Sequence, residues 1–512
     1  MAEKDTIMRF IKNLFPLFDS KVKKRNPRSQ WMRTTSFVMA GSFLLLGACE
    51  SDKTQLGVVD SVNGPLGGAA SDEPRATLVA QDILSAGGSA ADAATALYFT
   101  LAVTYPIAGS IGGGGECIVY NREKGAIENL KFHIGTPKAG GSIGIPGNLR
   151  GFAALHARYG KLSWPAVLSY AEQYANFGEN MSRAQHMAML KTSSTVSFDT
   201  DLDKLFKNTD GTFKAEGSDI QQIRLASVLT SLRSNGGASF YGGSLAQTFV
   251  ADANAAGGKL TTLDLQGYKP SWNDALVYDT DVNTVGVSNS EYGRLFRDYW
   301  VSIFDGKGIL AIDGDVGVGK VVKATATALQ KYTSHSVFIS EASTSFVTSD
   351  NEGNAVSCAV GLKKPFGVGQ IGDITGIVLA PNLPDTESEF PTSPFIIANK
   401  NTKDFYYAGA ASGGAAGTMS SVFTVLQVIA EDKTLADAIK APRAFTMGPG
   451  LPLLYESGLP KSDLASLSND HPVALEVDKL GAVNAIHCYD GKLFNCKSQS
   501  DPRGYGLSMI QE

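Results

Sequence analysis

The stretch "ISEASTSFVTSDNEGNAVS", residues 339–357, sets three hydroxyls side by side, Ser343, Thr344 and Ser345, at the head of a strand-like run that ends in a turn around Gly353 and Asn354. Such a hydroxyl attacks a carbonyl only when a neighbouring base takes its proton. No Gly-x-Ser-x-Gly elbow is present and none of the six histidines stands in a local acid/base motif, which leaves open a triad assembled from distant segments. Residues 314–321, "GDVGVGKV", match the spacing of a phosphate-binding loop but lack the Ser or Thr that follows its lysine, and they read as a surface loop. The glycine run 112–115 opens no helix and reads as a tight backbone passage beside a sheet. Of the five cysteines, Cys488 and Cys496 flank "YDGKLFN", where Asp490-Gly491 is a turn signal; a disulfide stapling that hairpin and a pair of free buried thiols are both open. No Cys/His spacing suits zinc, and no cofactor is expected.

These groups must be held by the elements around them. "ATLVAQDILSAGGSAADAATALYFTLAVTYP" carries two helical patterns hinged at Gly87-Gly88, the second rich in alanine and ending before Pro106. Further helices follow through about Met189, then "LASVLTSLRSNGG" and "GSLAQTFVADANAAGG", each closed by glycines. The second half turns to strands at "SFVTSD", "NAVSCAVGL", "GIVLA" and "FIIANK", with one later helix at "SVFTVLQVIAED". Helices outside and antiparallel strands inside, with no long linker, predict a layered α/β body.

A 512-residue chain with 43% apolar and 19% charged residues buries an ample core. Its net charge of −5 gives no basic field for nucleic acid. Near the N-terminus, Met32-Arg33 precede "TTSFVMAGSFLLLGAC", a basic start, a short apolar core and a small-residue site ending at Cys49, which reads as a signal peptide over residues 1–49 with translation starting at Met1 or Met32. "LGAC" resembles a bacterial lipobox, so Cys49 is the expected lipidation site, and the chain is expected at the cell envelope, held to a membrane by that lipid and facing the periplasm or exterior. Residues 50–68 read as a tether.

"AGGSAADAATALYFTLAVTYPIAGSIGGGGECIVY", "IPGNLRGFAALHARYGKLSWPAVL", "GGASFYGGSLAQTFVADANAAGGKLTTLDLQGY", "DNEGNAVS", "KAPRAF" and "SDPRGYG" together resemble the γ-glutamyltranspeptidase family, in that family's order, over most of the chain from about Gly68 to Gly506. The resemblance implies an N-terminal-nucleophile hydrolase, a four-layer αββα sandwich made as a precursor that cuts itself. The freed residue's hydroxyl then attacks a γ-glutamyl amide while its own α-amine serves as base. Counting back from "GNAVS" places Ser343 on the family's catalytic threonine; Thr344 is the alternative, but a one-residue slip on a strand turns a side chain to the opposite face. The competing reading of Ser343 is an ordinary strand-edge serine. Residues 69–342 and 343–512 are then the large and small chains of one domain, a self-processed heterodimer. Gly413 and Gly414 match the glycines of the oxyanion hole, Asp385 the carboxylate that receives the substrate ammonium, and Asn382 stands where a glutamine is usual.

The acyl pocket departs from the family. "LKFHIGTP" puts His133 where an arginine holds the substrate carboxylate, the second threonine falls on Gly361, the substrate-binding asparagine on Lys363, and the paired serines on Phe390 and Pro391. A bidentate clamp is lost, each charge-assisted hydrogen bond costing about 1.5 to 3 kcal/mol, and His133 and Lys363 are the residues left to rebuild a weaker anion site. The segment from Tyr292 to His335 also replaces the family's Pro-Ser-Ser-Gly-Gly stretch and long helical region. The expected activity is an amidohydrolase or acyltransferase of the glutathione hydrolase type, acting through an acyl-enzyme on a small γ-glutamyl or related acyl amide. The alternative is a family member without catalysis, serving as a binding or structural envelope lipoprotein.

Overall fold

The computed structural model describes residues 66–193, 196–280, 282–304, 317–331, 342–383, 394–446, 448, 450–471 and 473–511. Thirteen strands of the two main sheets are labelled here. They are β1 (Gly67–Ser71), β2 (Gly114–Asn121), β3 (Ala126–Phe132), β4 (Ser271–Asp274), β5 (Leu276–Thr280), β6 (Asn283–Val287), β7 (Ser343–Asp350), β8 (Ala355–Gly361), β9 (Phe395–Asn399), β10 (Phe405–Ser412), β11 (Ala482–Cys488), β12 (Cys496–Ser500) and β13 (Leu507–Gln511). The first sheet has the order β13-β1-β7-β8-β2-β3-β4 and the second β12-β11-β10-β9-β6-β5, each strand antiparallel to its neighbours.

Outside the first sheet pack α1 (Pro74–Ser85), α2 (Ala90–Thr104), α3 (Asn148–Tyr159) and α4 (Trp164–Phe177). Helix α1 starts with Pro74, whose missing N–H costs nothing there, and the Glu73 carboxylate accepts the Ala76 N–H at 2.9 Å. Helix α2 opens with a capping box, Ser89 with Asp92. All fifteen residues of α2 are buried, because it lies between α1, α4 and the sheet. Its alanines permit that close approach and explain why it shows no polar stripe. Behind the second sheet, α8 (Gly414–Ile429) packs on β10 and is flanked by α6 (Glu291–Phe304) and α7 (Val318–Leu329), with α5 (Ile223–Asn235) on the far side beside α4. The arrangement is the four-layer αββα sandwich.

Every residue of β7 is buried because both faces of its sheet are covered. Phe346 enters the core shared with the helices, and Thr348 Oγ1 donates to the Ala90 carbonyl at 2.8 Å. Val347, on the other face, joins Ile118, Ile396, Ala408 and Ile486 between the sheets. Two disulfides join directly opposed residues of neighbouring strands, Cys488 with Cys496 across β11 and β12, and Cys117 with Cys358 across β2 and β8. The first is the hairpin staple, one of the two readings left open, its turn taking positive φ at Asp490 and Gly491. The second was not anticipated.

Three details differ from the sequence reading. Residues 376–380 are buried but form only an isolated bridge, Ile371 with Val378, in place of a strand. The second half of "GDVGVGKV" is helical from Val318, where Val321 and Val322 give the helix a buried face, so it is no surface loop. Strand β1 begins at Gly67, inside the stretch read as a tether. No helix of the described residues is long and apolar enough to cross a membrane.

Candidate active site

Ser343 is the first residue of β7. It lies directly opposite Gly361 at the end of β8, and Gly361 lies directly opposite Gly114 at the start of β2. Cross-strand partners share a face, so the two positions beside Ser343 carry no side chain. The serine is 6% exposed, and its Oγ accepts a hydrogen bond from the Gly413 N–H at 3.3 Å. Just before it, the Ala342 carbonyl accepts the Leu362 N–H at 3.1 Å.

Gly413 caps α8 at φ 109°, and Gly414 follows at φ 66°, both in the left-handed region. A Cβ on Gly413 would lie 2.7 Å from the Gly481 Cα, so glycine is required for space as well as for conformation. The first N–H groups of a helix have no partner inside it and carry the positive end of the helix dipole. Here one of them, that of Gly413, is aimed at the Ser343 hydroxyl, beside which the oxygen of an attacked carbonyl becomes negative.

The loop behind these glycines is fixed by buried ions. Arg443, with no exposed surface, donates to the carbonyls of Leu480 and Gly481 at 3.2 and 3.3 Å and to Asp501 Oδ2 at 2.8 Å. Asp501 also accepts the Val483 N–H at 3.0 Å, and Arg503 bridges Asp501 and Glu456. Both arginines hold the Asp501 carboxyl below its ordinary range despite burial, which pushes the other way. "KAPRAF" and "SDPRGYG" thus fix the loop behind Gly413 and Gly414, a role the sequence alone did not disclose.

Asp72, at the end of β1, anchors the start of β7. Its Oδ2 accepts from Thr344 Oγ1 at 3.0 Å and the Ser345 N–H at 3.1 Å, and its Oδ1 accepts from Asn484 Nδ2 at 2.8 Å. Burial pushes the Asp72 carboxyl up, and the hydrogen bonds from Asn484, Ser345 and Thr344 pull it back. The Thr344 hydroxyl is therefore committed to Asp72, while that of Ser343 faces the Gly413 amide. No spacing pattern links Asp72 or Asn484 to Ser343, and neither was singled out from sequence.

His133 follows β3, its Nε2 lying 3.5 Å from Glu116 Oε2 while its carbonyl accepts the Tyr268 hydroxyl at 2.7 Å. Glu116 has no exposed surface; Ser288 Oγ donates to its Oε2, and its Oε1 has no partner among the described residues. A carboxylate thus sits beside the position where the resemblance expects an arginine. Lys363, two residues past Gly361, adopts φ 65° and is half-buried. Asn382 is tied to residues 141–142, its Nδ2 donating to the Gly141 carbonyl at 3.0 Å and its N–H to the Ser142 carbonyl at 2.8 Å. Ser343, Gly361, Gly413 and Gly414 are brought together; Asp385, Phe390, Pro391 and Cys49 lie outside the described residues. No group of three or more potential metal ligands occurs among the described residues.

The chain matches the family model described as gamma-glutamyltranspeptidase over residues 76–292 and 319–510. The gap between these spans falls in the segment where the sequence departs from the family pattern. A relative, the glutathione hydrolase proenzyme of Pseudomonas aeruginosa, is 35% identical over 241 residues, 42% of this chain and 41% of that protein. Glutathione hydrolase 3 of Arabidopsis thaliana is 26% identical over 452 residues, 72% of this chain and 70% of that protein. The matches to the first three curated relatives span about two-fifths of those proteins' own length. Among solved structures, the cephalosporin acylase from Bacillus halodurans shares the fold with a TM-score of 0.73 at 20% identity, covering 89% of this chain and 98% of that one.

Proposed function

Because the chain belongs to the γ-glutamyltranspeptidase family, we propose that it is made as a precursor, cuts itself between Ala342 and Ser343, and then hydrolyses or transfers acyl groups from small amides. One observation carries this reading: the Ser343 hydroxyl faces the Gly413 N–H at 3.3 Å while the neighbouring Ala342 carbonyl is held by the Leu362 N–H at 3.1 Å. In self-cleavage, Ser343 Oγ bonds to the Ala342 carbonyl carbon, the C–N bond breaks, and the hydroxyl proton passes to the nitrogen. Water hydrolyses the resulting ester, which frees the Ala342 carboxylate, the Ser343 hydroxyl and its α-amine. The Leu362 N–H faces the oxygen that becomes negative in the first step.

In turnover the freed amine is the base that takes the hydroxyl proton as Oγ attacks the substrate amide. The N–H groups of Gly413 and Gly414 receive the oxyanion. The leaving amine departs protonated, and water or a second amine resolves the acyl-enzyme. Asp385 and Asn382 are the proposed contacts for a substrate ammonium. On the acyl side, His133 backed by Glu116 replaces a permanent cation, and Lys363 is the remaining basic group, so the preferred acyl group is one that does not depend on a bidentate carboxylate clamp. Export with a lipid on Cys49 belongs to the same proposal. The two disulfides support it, since such bonds persist in oxidising compartments.

Intact-mass analysis and N-terminal sequencing of the mature protein test the reading. Two chains are expected, the second beginning Ser-Thr-Ser-Phe, and Ser343→Ala should abolish both the cut and amide turnover. A single uncut wild-type chain would leave Ser343 without its base and turn the assignment to a non-catalytic binding protein.

A further inference from the structure

We infer that maturation leaves the two chains covalently joined through the Cys117–Cys358 disulfide. The inference rests on the proposed cut before Ser343. That cut assigns Cys117 to the large chain and Cys358 to the small chain, whereas Cys488 and Cys496 both fall in the small chain and cannot hold the pair together. Cys117 and Cys358 are direct cross-strand partners on β2 and β8, and neither has exposed surface. Their row across the first sheet, Phe346, Cys358, Cys117 and Leu130, runs three residues along from the row of Ser343, Gly361 and Gly114. At about 3.4 Å per residue the bridge lies roughly 10 Å from the nucleophile, so it takes no part in the chemistry.

The strand order explains what the bridge does. Read across β13-β1-β7-β8-β2-β3-β4, the strands belong to the small, large, small, small, large, large and large chains. Among the described residues, noncovalent contacts alone cross these boundaries, except between β8 and β2, where the sulfur atoms form a covalent bond. Peptide cleavage at Ser343 opens one link between the halves of the molecule and the disulfide keeps another closed. Buried in the core between the helices and the sheet, it is shielded from reductants until the protein unfolds.

The test is a denaturing gel of the purified mature protein, with free thiols alkylated first, run with and without reductant. One band without reductant and two with it are expected. Two bands under both conditions overturn the bridge alone; one band under both overturns self-cleavage and with it the joining of two chains, so the two failures are told apart. Cys117→Ala should release the chains without reductant. Should that variant fail to fold, mapping an unreduced digest of the wild type decides the matter, since a peptide pair linking Cys117 to Cys358 must be found and its absence overturns the inference.

Discussion

Gly413 and His133 show how far single side chains control the proposed reaction. Gly413→Ala forces a Cβ to within 2.7 Å of the Gly481 Cα at a φ of 109°. The N–H it aims at Ser343 must then shift, and a fall in kcat of about a hundredfold is expected, of the size seen when an oxyanion donor is lost; steady-state kinetics against a circular-dichroism control checks it. His133→Arg restores a permanent fork and should raise kcat/KM for a γ-glutamyl anilide about 10- to 100-fold relative to a neutral acyl anilide. His487 offers a pH readout. Burial among Tyr406, Tyr407 and Tyr489 lowers its pKa from 6.5 to about 4. The unfolded chain therefore binds the proton first, so the stability held above pH about 6.5 is lost as pH falls through about 4, up to roughly 3 kcal/mol. Urea midpoints at pH 7 and pH 4.5 should differ less in His487→Phe than in the wild type. At this scale Ser343 could be placed by counting back from "GNAVS", and Gly413 and Gly414 by their match to the family's glycines, and the structure brings the three together. Asp72 and Glu116 could not be placed so, since nothing local distinguishes a buried carboxylate from an exposed one.

Elements were read more faithfully where their own periodicity decided them. The capped α2 stands where the sequence placed it, whereas α8 begins at Gly414, about two turns before the Ser421 at which the sequence reading started that helix. Residues 376–380 look like a strand because they are apolar and β-branched, yet burial alone accounts for that composition. "GDVGVGKV" failed in the opposite sense: its glycines suggested a loop, but only Gly319 falls within the helix, and the buried Val321 and Val322 outweigh its helix cost. Strand β7 depends on the layer beneath it, Phe346 lying against Phe152 at a centroid distance of 6.1 Å. Phe346→Ala is expected to cost about 3 to 5 kcal/mol in urea unfolding, with less precursor cut because the serine at the strand's head loses its support.

For the molecule as a whole, the αββα sandwich was foreseeable from motif order, but the bond that ties its halves was not. Pairing Cys117 with Cys358 requires the register of two strands whose cysteines are 241 residues apart, and neither cysteine's neighbours carry that information. A joined pair of chains should refold from urea at a rate independent of protein concentration. The reduced pair, whose chains must meet again by diffusion, should refold more slowly on dilution.

The grip of the Leu362 N–H on Ala342 also has a consequence in time. In the proposed cut, hydrolysis of the ester would turn that carbonyl into a carboxylate on the residue next to Ser343, whose hydroxyl a substrate carbonyl must then approach. The newly cut protein would then be occupied by its own end, and turnover should begin only after a latency set by how fast Ala342 withdraws. Rapid sampling of a precursor allowed to mature in the presence of substrate should show chain separation on a reducing gel preceding the first released amine.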